Sequence, residues 1–247
     1  MNNFDTLIEN GLVVTENEIG QLNIGIRDGK VAYLGDKNLN AELKINANNL
    51  IILPGGIDPH VHVDQPSGDD VIMADDFQSA TKSAAAGGNT TILPFAMQIK
   101  GQSLRKCVQD YHKKASGNLY IDTSFHLIIS DPTPQVLGQE LPALSKDGYT
   151  SFKVFMTYDD LVLNDKELIE VFDVAKQLKT LVMVHAEGYD SIKYLSDKFE
   201  KEGKTAPYYH APTRPQIVER EATHRAISHA QIVNIPLMIV HVSGEEA

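Results

Sequence analysis

The chain has 247 residues, 42% of them apolar, and a formal net charge of −11. That length suits one large domain, or one domain with a small companion, and the acidic balance disfavours binding to a phosphate backbone, so no nucleic-acid partner is expected. No secretory leader and no apolar run long enough to cross a bilayer can be read, which predicts a cytoplasmic protein with no membrane partner. The single cysteine, Cys107, has no internal disulfide partner and is predicted to pack inside a helix.

Residues 1–53 read as short strands. Residues 6–8 and 12–14 form two of them, separated at Asn10-Gly11. Residues 22–26 alternate and close at Asp28-Gly29, a favoured hairpin turn, before a further strand at 31–34. This stretch predicts part of a small β-domain, one lobe of a sandwich and too short to own a full core.

From residue 54 strand-like and helix-like runs alternate. The first strand carries His60 and His62. A helix at 74–86 follows, with Asp75 and Asp76 suited to its N-terminus. Then come a strand at 90–95, a helix at 103–115, a strand at 121–129 and a helix at 133–146. The series continues with a strand at 151–156, a helix at 165–178 and a strand at 180–185. Helices at 191–202 and 217–233 precede a last strand at 237–242. Serial strand–helix units predict a parallel sheet. A doubly wound sheet is one solution. A (β/α)₈ barrel fits better, because polar residues recur at the C-terminal ends of several strands, where barrel enzymes carry their chemistry. Six strands are readable where a barrel has eight. Residues 54–247 are therefore expected to be the first six βα units of a longer barrel, its C-terminal remainder missing.

Those strand ends hold an unusual set of side chains. His60 and His62 stand one residue apart, so on a strand they point to the same side. Lys153 lies between Phe152 and Val154, His185 ends the run Val182-Met183-Val184, and His241 follows Ile239-Val240. Imidazoles suit divalent zinc, iron or nickel. A lysine in an apolar strand is costly unless it is paired, chemically changed or reaches solvent.

The motifs PGGIDPHVHVD (54–64), DDFQSATKSAAAGGNTTI (75–92), SFKVFMTY (151–158), VHAE (184–187), TRP with VEREA (213–222) and IVHVSG (239–244) together resemble one family. They are similar to the cyclic amidases of the amidohydrolase superfamily, and within them to the dihydropyrimidinase and hydantoinase group. The resemblance implies a metal-dependent (β/α)₈ TIM barrel with a small β-sandwich, of which residues 1–53 would be the N-terminal part. It implies hydrolytic opening of 5,6-dihydropyrimidines to N-carbamoyl-β-amino acids by a hydroxide shared between two metals. Hydantoins or allantoin are alternative substrates, and a non-catalytic structural relative is the reading from another class.

By the same resemblance, two Zn²⁺ ions per complete subunit are bridged by N-carboxylated Lys153. His60 and His62 hold the more buried ion, and His185 and His241 hold the second. Tyr158 faces the scissile carbonyl. An aspartate on strand eight should complete the first site and has no counterpart in this sequence, so the segment alone is expected to be inactive. A homotetramer is implied. Asp64 separates the chain from dihydroorotases, which have an arginine there, and is expected to repel an anionic substrate. Two departures from the family stand out. Gly188 stands where an asparagine is usual. Ser67-Gly68-Asp69-Asp70 replaces a more apolar loop entrance.

Overall fold

The computed structural model describes residues 4–68 and 71–247, so Asp69 and Asp70 of the loop entrance lie outside the described residues. The chain divides into two compact units, the first ending at Gly56 and the second starting at Ile57. Among the described residues, no helix is long and apolar enough to cross a membrane.

The first unit is built around β1 (Phe4–Val14). β2 (Ile19–Arg27) pairs antiparallel with it, and β3 (Lys30–Gly35) pairs antiparallel with β2. β4 (Ala41–Asn46) and β5 (Ile51–Ile52) both run parallel to β1. The β2–β3 turn falls at Asp28-Gly29, with φ of 52° and 70°. Two left-handed residues give the twist that a two-residue hairpin requires. β1 is one strand where the sequence predicts two. The register slips between Ile8 and Gly11, and Asn10 takes φ 66° there. A bulge absorbs the extra residue, so the strand bends without leaving its ladder. β4 escapes the sequence reading because it is mostly exposed and its composition, AELKIN, is not strand-like.

The second unit alternates strands and helices. Its elements are β6 (Gly56–Val61), α1 (Phe77–Ala86), β7 (Asn89–Met97), α2 (Leu104–Ala115), β8 (Asp122–Thr123) and β9 (His126–Ile128). Next come α3 (Leu141–Lys146), β10 (Ser151–Phe155), α4 (Asp165–Leu178), β11 (Leu181–His185), α5 (Tyr189–Lys201), α6 (Gln216–Val233) and β12 (Leu237–Ile239). The strands neighbour one another in the order β6-β7-β9-β10-β11-β12, with β8 also on β7. The pairs from β7 to β12 are parallel. The order never reverses, as it must in a doubly wound sheet. The result is an open, partial barrel wall.

Two predicted elements are broken. The strand at 121–129 becomes β8 and β9, because Phe125 between them turns into the helix-side core against Phe77 and Tyr111. The helix at 133–146 begins as a π turn, Val136–Glu140, before α3. That turn carries the buried Glu140 to the start of α2, where its carboxylate accepts from the Leu104 N–H at 2.6 Å and the Arg105 N–H at 3.3 Å. A carboxylate there satisfies orphan donors and meets the positive end of the helix dipole. Cys107, on α2, is buried, and burial pushes its thiol up to about 12, as expected of a packed cysteine.

The wall buries both of its faces. Phe152, Val154, Val182 and Val184 point outward into the helix-side core with Leu168, Val171 and Phe172 of α4. The alternate residues Phe155 and Met183 point inward and cluster with Phe95, Ile128 and Val240. Period two therefore sends Lys153, between Phe152 and Val154, to the inner face.

α4 is held at its start by a capping box, with Asn164 accepting from the Glu167 N–H at 3.0 Å and Glu167 accepting from the Asn164 N–H at 2.8 Å. Replacing Asn164 with alanine should lower stability by about 1 kcal/mol in urea denaturation, with the circular dichroism of the native state unchanged. A loss below the error of the measurement would show that tertiary packing alone fixes this end.

Candidate functional site

The inner face ends in a cavity of about 300 Å³ lined by His62, Lys153, Tyr158, His185 and His241, with Gln65 at its rim. His60 lies in β6, and its ring sits 5.6 Å from that of His62 and 5.4 Å from that of His241. His62 follows the end of β6. His185 is the last residue of β11, and His241 lies two residues past β12. All four imidazoles thus collect at the C-terminal ends of parallel strands. The structure brings together the five residues that the sequence singled out as ligands, and it adds Tyr158 at the edge.

Lys153 occupies the middle of this group. It is 0% exposed, and its Nζ has no hydrogen-bond partner among the described residues. Its immediate company is aromatic, with Phe95 and Phe155 each presenting a ring face 5.0 Å away. Burial lowers its pKa to about 8. The imidazoles feel the same environment. Burial, then the Lys153 charge and His241, lowers His60 to about 4, and burial is also the first cause that lowers His62 and His241. At neutral pH these rings are neutral and keep lone pairs for donation.

Neighbouring side chains fix the rings. The Nδ1 of His62 lies 2.7 Å from Gln65 Oε1, and His185 Nε2 lies 2.6 Å from Glu187 Oε2. The Nδ1 of His185 faces His241 Nε2 at 3.2 Å. A fifth histidine, His126 on β9, donates from Nε2 to the Pro59 carbonyl at 2.8 Å and accepts at Nδ1 from Ser151 Oγ at 2.5 Å. With both nitrogens engaged it acts as a strut beneath the His60 backbone. Sequence reasoning passed over His126, Gln65 and Glu187. The signal for His126 was a histidine between Phe125 and Leu127 in an apolar strand. Nothing in spacing alone marks the other two.

Asp64 is engaged by a neighbouring helix. Its carboxylate is 3.1 Å from Lys114 Nζ, which also donates to the Asp64 carbonyl at 2.6 Å. The charge is thus paired with α2. Gly188 begins α5, and a Cβ there would stand 3.0 Å from Glu221 Oε2, so a larger residue requires Glu221 to give way.

Among the described residues, no three His, Cys, Asp or Glu side chains converge as they stand into a metal-holding group. The donor set is still suited to one. It offers four imidazoles around an amine with no partner, and among the described residues no carboxylate lines the cavity. Two divalent ions there would need a bridging anion, and a carbamate on Lys153 would provide it while ending the burial of a bare ammonium.

Residues 51–220 match the model of the amidohydrolase family. The chain is 46% identical to a D-hydantoinase of Ralstonia pickettii over 98% of its own length and 53% of that protein. It superimposes on a solved D-hydantoinase with a TM-score of 0.95 at 46% identity, and on the crystal structure of dihydropyrimidinase from Brevibacillus agri NCHU1002 with 0.93 at 41%. Both overlaps cover 98% of this chain and 53% of the other. The chain belongs to the amidohydrolase family, and within it to the dihydropyrimidinase and hydantoinase branch. It spans about half the length of the relatives it matches.

The burial of Lys153 has a measurable signature in metal-free protein. A folded-state pKa of about 8, below the ordinary lysine value of 10.5, means the unfolded chain holds more protons between those limits. Stability then rises as pH climbs through that window and is lost as pH falls through 8. Replacing Lys153 with methionine should stabilise the metal-free chain at pH 7 by roughly 2 kcal/mol, and the gain should shrink towards pH 10.5. Chemical denaturation of both proteins at three pH values reads it. Equal stability throughout would show that the amine finds water or an anion.

Proposed function

We propose that this chain carries the metal site of a cyclic ureide hydrolase, which opens hydantoin-type rings to N-carbamoyl amino acids. The observation that carries the reading is Lys153, buried and without a hydrogen-bond partner among four imidazoles at barrel strand ends. The relatives' names favour the five-membered hydantoin ring over the dihydropyrimidine expected from sequence, since D-hydantoinases match at 46% identity. Dihydropyrimidines stay as the second reading, supported by the Brevibacillus agri dihydropyrimidinase.

His60, His62, Lys153, His185 and His241 would hold two divalent ions, expected to be zinc. Bound there, the ions would supply a Lewis acid for the ring carbonyl and a water acidic enough to attack it at neutral pH. The protein's own part begins at Lys153. A pKa near 8 leaves an appreciable fraction of the amine neutral at pH 7.5. The neutral nitrogen adds to carbon dioxide and releases one proton, giving the carbamate. Phe95 and Phe155 keep water from that nitrogen. Tyr158 donates from its hydroxyl to the oxygen on which charge develops. Burial, then the nearby Glu187 charge, raises its pKa, so it remains protonated and able to donate. Beyond Tyr158, a cavity of about 570 Å³ bordered by Asp159, Lys193 and Arg214 gives room for a ring substituent. A homotetramer in the cytoplasm is proposed from the family resemblance, and light scattering tests the assembly.

A panel of hydantoin, dihydrouracil and allantoin, offered to the full-length protein before and after chelation, tests the activity. Hydantoin opening should be fastest and should vanish on chelation. Turnover that survives complete metal removal would overturn the mechanism. Lys153→Ala should lose both metals by elemental analysis, with partial rescue by a short carboxylic acid at high concentration. Tyr158→Phe should keep both metals and lower kcat by about 10²–10³-fold. An unchanged kcat would remove Tyr158 from the reaction.

A further inference from the structure

Resting on the ring-hydrolase reading, we propose that the cavity beyond Tyr158 selects rings whose substituent ends in a neutral group that both donates and accepts hydrogen bonds, a carboxamide above all. Tyr189 and Lys193 of α5, with Asp159 of the turn after β10, are the specificity-determining residues. Alkyl and anionic substituents of the same size are the ones it disfavours.

The two cavities share a wall. Met97, Tyr158 and Leu161 line both the one of about 300 Å³ that holds Lys153 and the one of about 570 Å³ beside it. A ring placed against the Tyr158 hydroxyl thus has the larger cavity within reach of its substituent. The shared wall is mostly apolar. Met97 and Leu161 pack against the inner cluster of Phe95 and Phe155, and Ile192 of α5 is buried beside the larger cavity. These side chains suit the methylene that joins a substituent to the ring.

Further out the lining turns polar. Tyr189, Ile192, Lys193 and Ser196 recur at helical spacing, so one face of α5 meets the cavity. That face is set in place by the Tyr189 N–H, which donates to the Met156 carbonyl at 3.2 Å, just past the end of β10. The Tyr189 hydroxyl donates to Asp159 Oδ1, and Lys100 Nζ donates to the Asp159 carbonyl at 3.1 Å. Lys193 Nζ lies 3.4 Å from Asp197 Oδ1. The bond to Asp197, then the Asp197 and Asp159 charges, raise the Lys193 pKa, so it stays an ammonium. The bond to Asp159 raises that of Tyr189, which stays a donor.

Pairing within the wall decides what it can accept. Lys193 and Arg214 each already face a carboxylate, at 3.4 Å on Asp197 and 3.8 Å on Glu187, and Asp159 already accepts from Tyr189. An anionic substituent would compete with those carboxylates and meet the charges of Asp159 and Asp160, which also border the cavity. An alkyl group would strip water from the charged groups and give them no partner in return. A neutral amide does neither. An ammonium has three hydrogens and a carboxylate about four lone-pair sites, so Lys193 and Asp159 both keep capacity after their existing contacts. A carboxamide carries an oxygen for the first and hydrogens for the second.

The test uses the full-length, zinc-loaded protein and hydantoins that carry three substituents of nearly one size: carbamoylmethyl, isobutyl and carboxymethyl, each in both enantiomers. Unsubstituted hydantoin is the control for ring opening itself. The carbamoylmethyl ring should exceed the other two in kcat/KM by about tenfold or more. Lys193→Leu should narrow its lead over the isobutyl ring to within about threefold. An isobutyl or carboxymethyl ring opened as well as the carbamoylmethyl ring by the parent protein overturns the proposal. So does a Lys193→Leu protein that folds, by circular dichroism, and keeps the full parent ratio. Should that variant fail to fold, the parent ranking decides alone. Failure to open any of the rings, unsubstituted hydantoin included, would sink the ring-hydrolase reading instead. Calorimetric binding of the three substituted rings to the same protein then ranks them, and equal affinities overturn the selection by the cavity.

Discussion

The arrangement of the second unit depends on one constraint, the amine of Lys153 in a place that water does not reach. β10 has β9 on one side and β11 on the other, with Ile128 and Met183 at the register positions beside Lys153. Such a lysine sits mid-strand and cannot extend its chain to solvent as a lysine at a sheet edge can. Two phenylalanine faces give some compensation, on the order of 2 kcal/mol when desolvated. The effective cost of burying an ammonium is several kcal/mol. The difference favours a neutral or modified nitrogen. This is why the same residue that weakens the bare fold is the one best suited to become an anionic bridge.

The period of the strand divides labour between the two faces. Phe152 and Val154 are fully buried against the helices and contribute to the core that holds the wall together. Lys153 and Phe155, one step out of phase, serve the inner face. A register slip of one residue would exchange the two sets, placing an amine among Leu168, Val171 and Phe172 and a phenylalanine in the cavity. Packing on the outer face therefore fixes the position of the chemistry on the inner one. The polar contacts made by Gln65, Glu187 and His126 then set the rings to a finer tolerance than packing can. Apolar contact places a ring, but only a directional partner decides which nitrogen carries hydrogen.

Much of this was legible in the sequence where a physical period was strong. The helix at 165–178 and the strands at 151–156 and 180–185 emerge with boundaries within about one residue, because their apolar positions and caps agree. The branch of the amidohydrolase family was readable from motifs spread along the chain. Local signals failed where tertiary context decided. Asn10-Gly11 reads as a break, yet β2 continues to pair across it and makes it a bulge. Nothing local to Asp64 reveals that Lys114, fifty positions away, pairs with it. Ring specificity was the least legible part, for a related reason. The quoted motifs surround the strand ends and report on chemistry that the whole branch shares.

Backbone conformation adds an independent pointer to the same place. Of the described non-glycine residues with positive φ, Asn10, Asp28, Asn49, Asp64 and Asn234 are of the types that tolerate it, and Lys179 closes α4 as its C-cap. Tyr158 at 73° is not among those types, and His241, of a type that tolerates it, takes 38°. Each carries a strain of order 1–3 kcal/mol, which persists only where the surroundings over-determine it. For Tyr158 the surroundings are visible, since its carbonyl accepts from the N–H groups of Leu161 at 3.0 Å and Val162 at 2.8 Å. That turn aims the phenol back towards the His185 ring, 5.2 Å away between centroids. For His241 the chain leaves β12 and turns at once, bringing its Nε2 against His185. A relaxed backbone at either position would carry the side chain away from Lys153. Both positive-φ positions thus lie where side chains border the cavity of the buried amine.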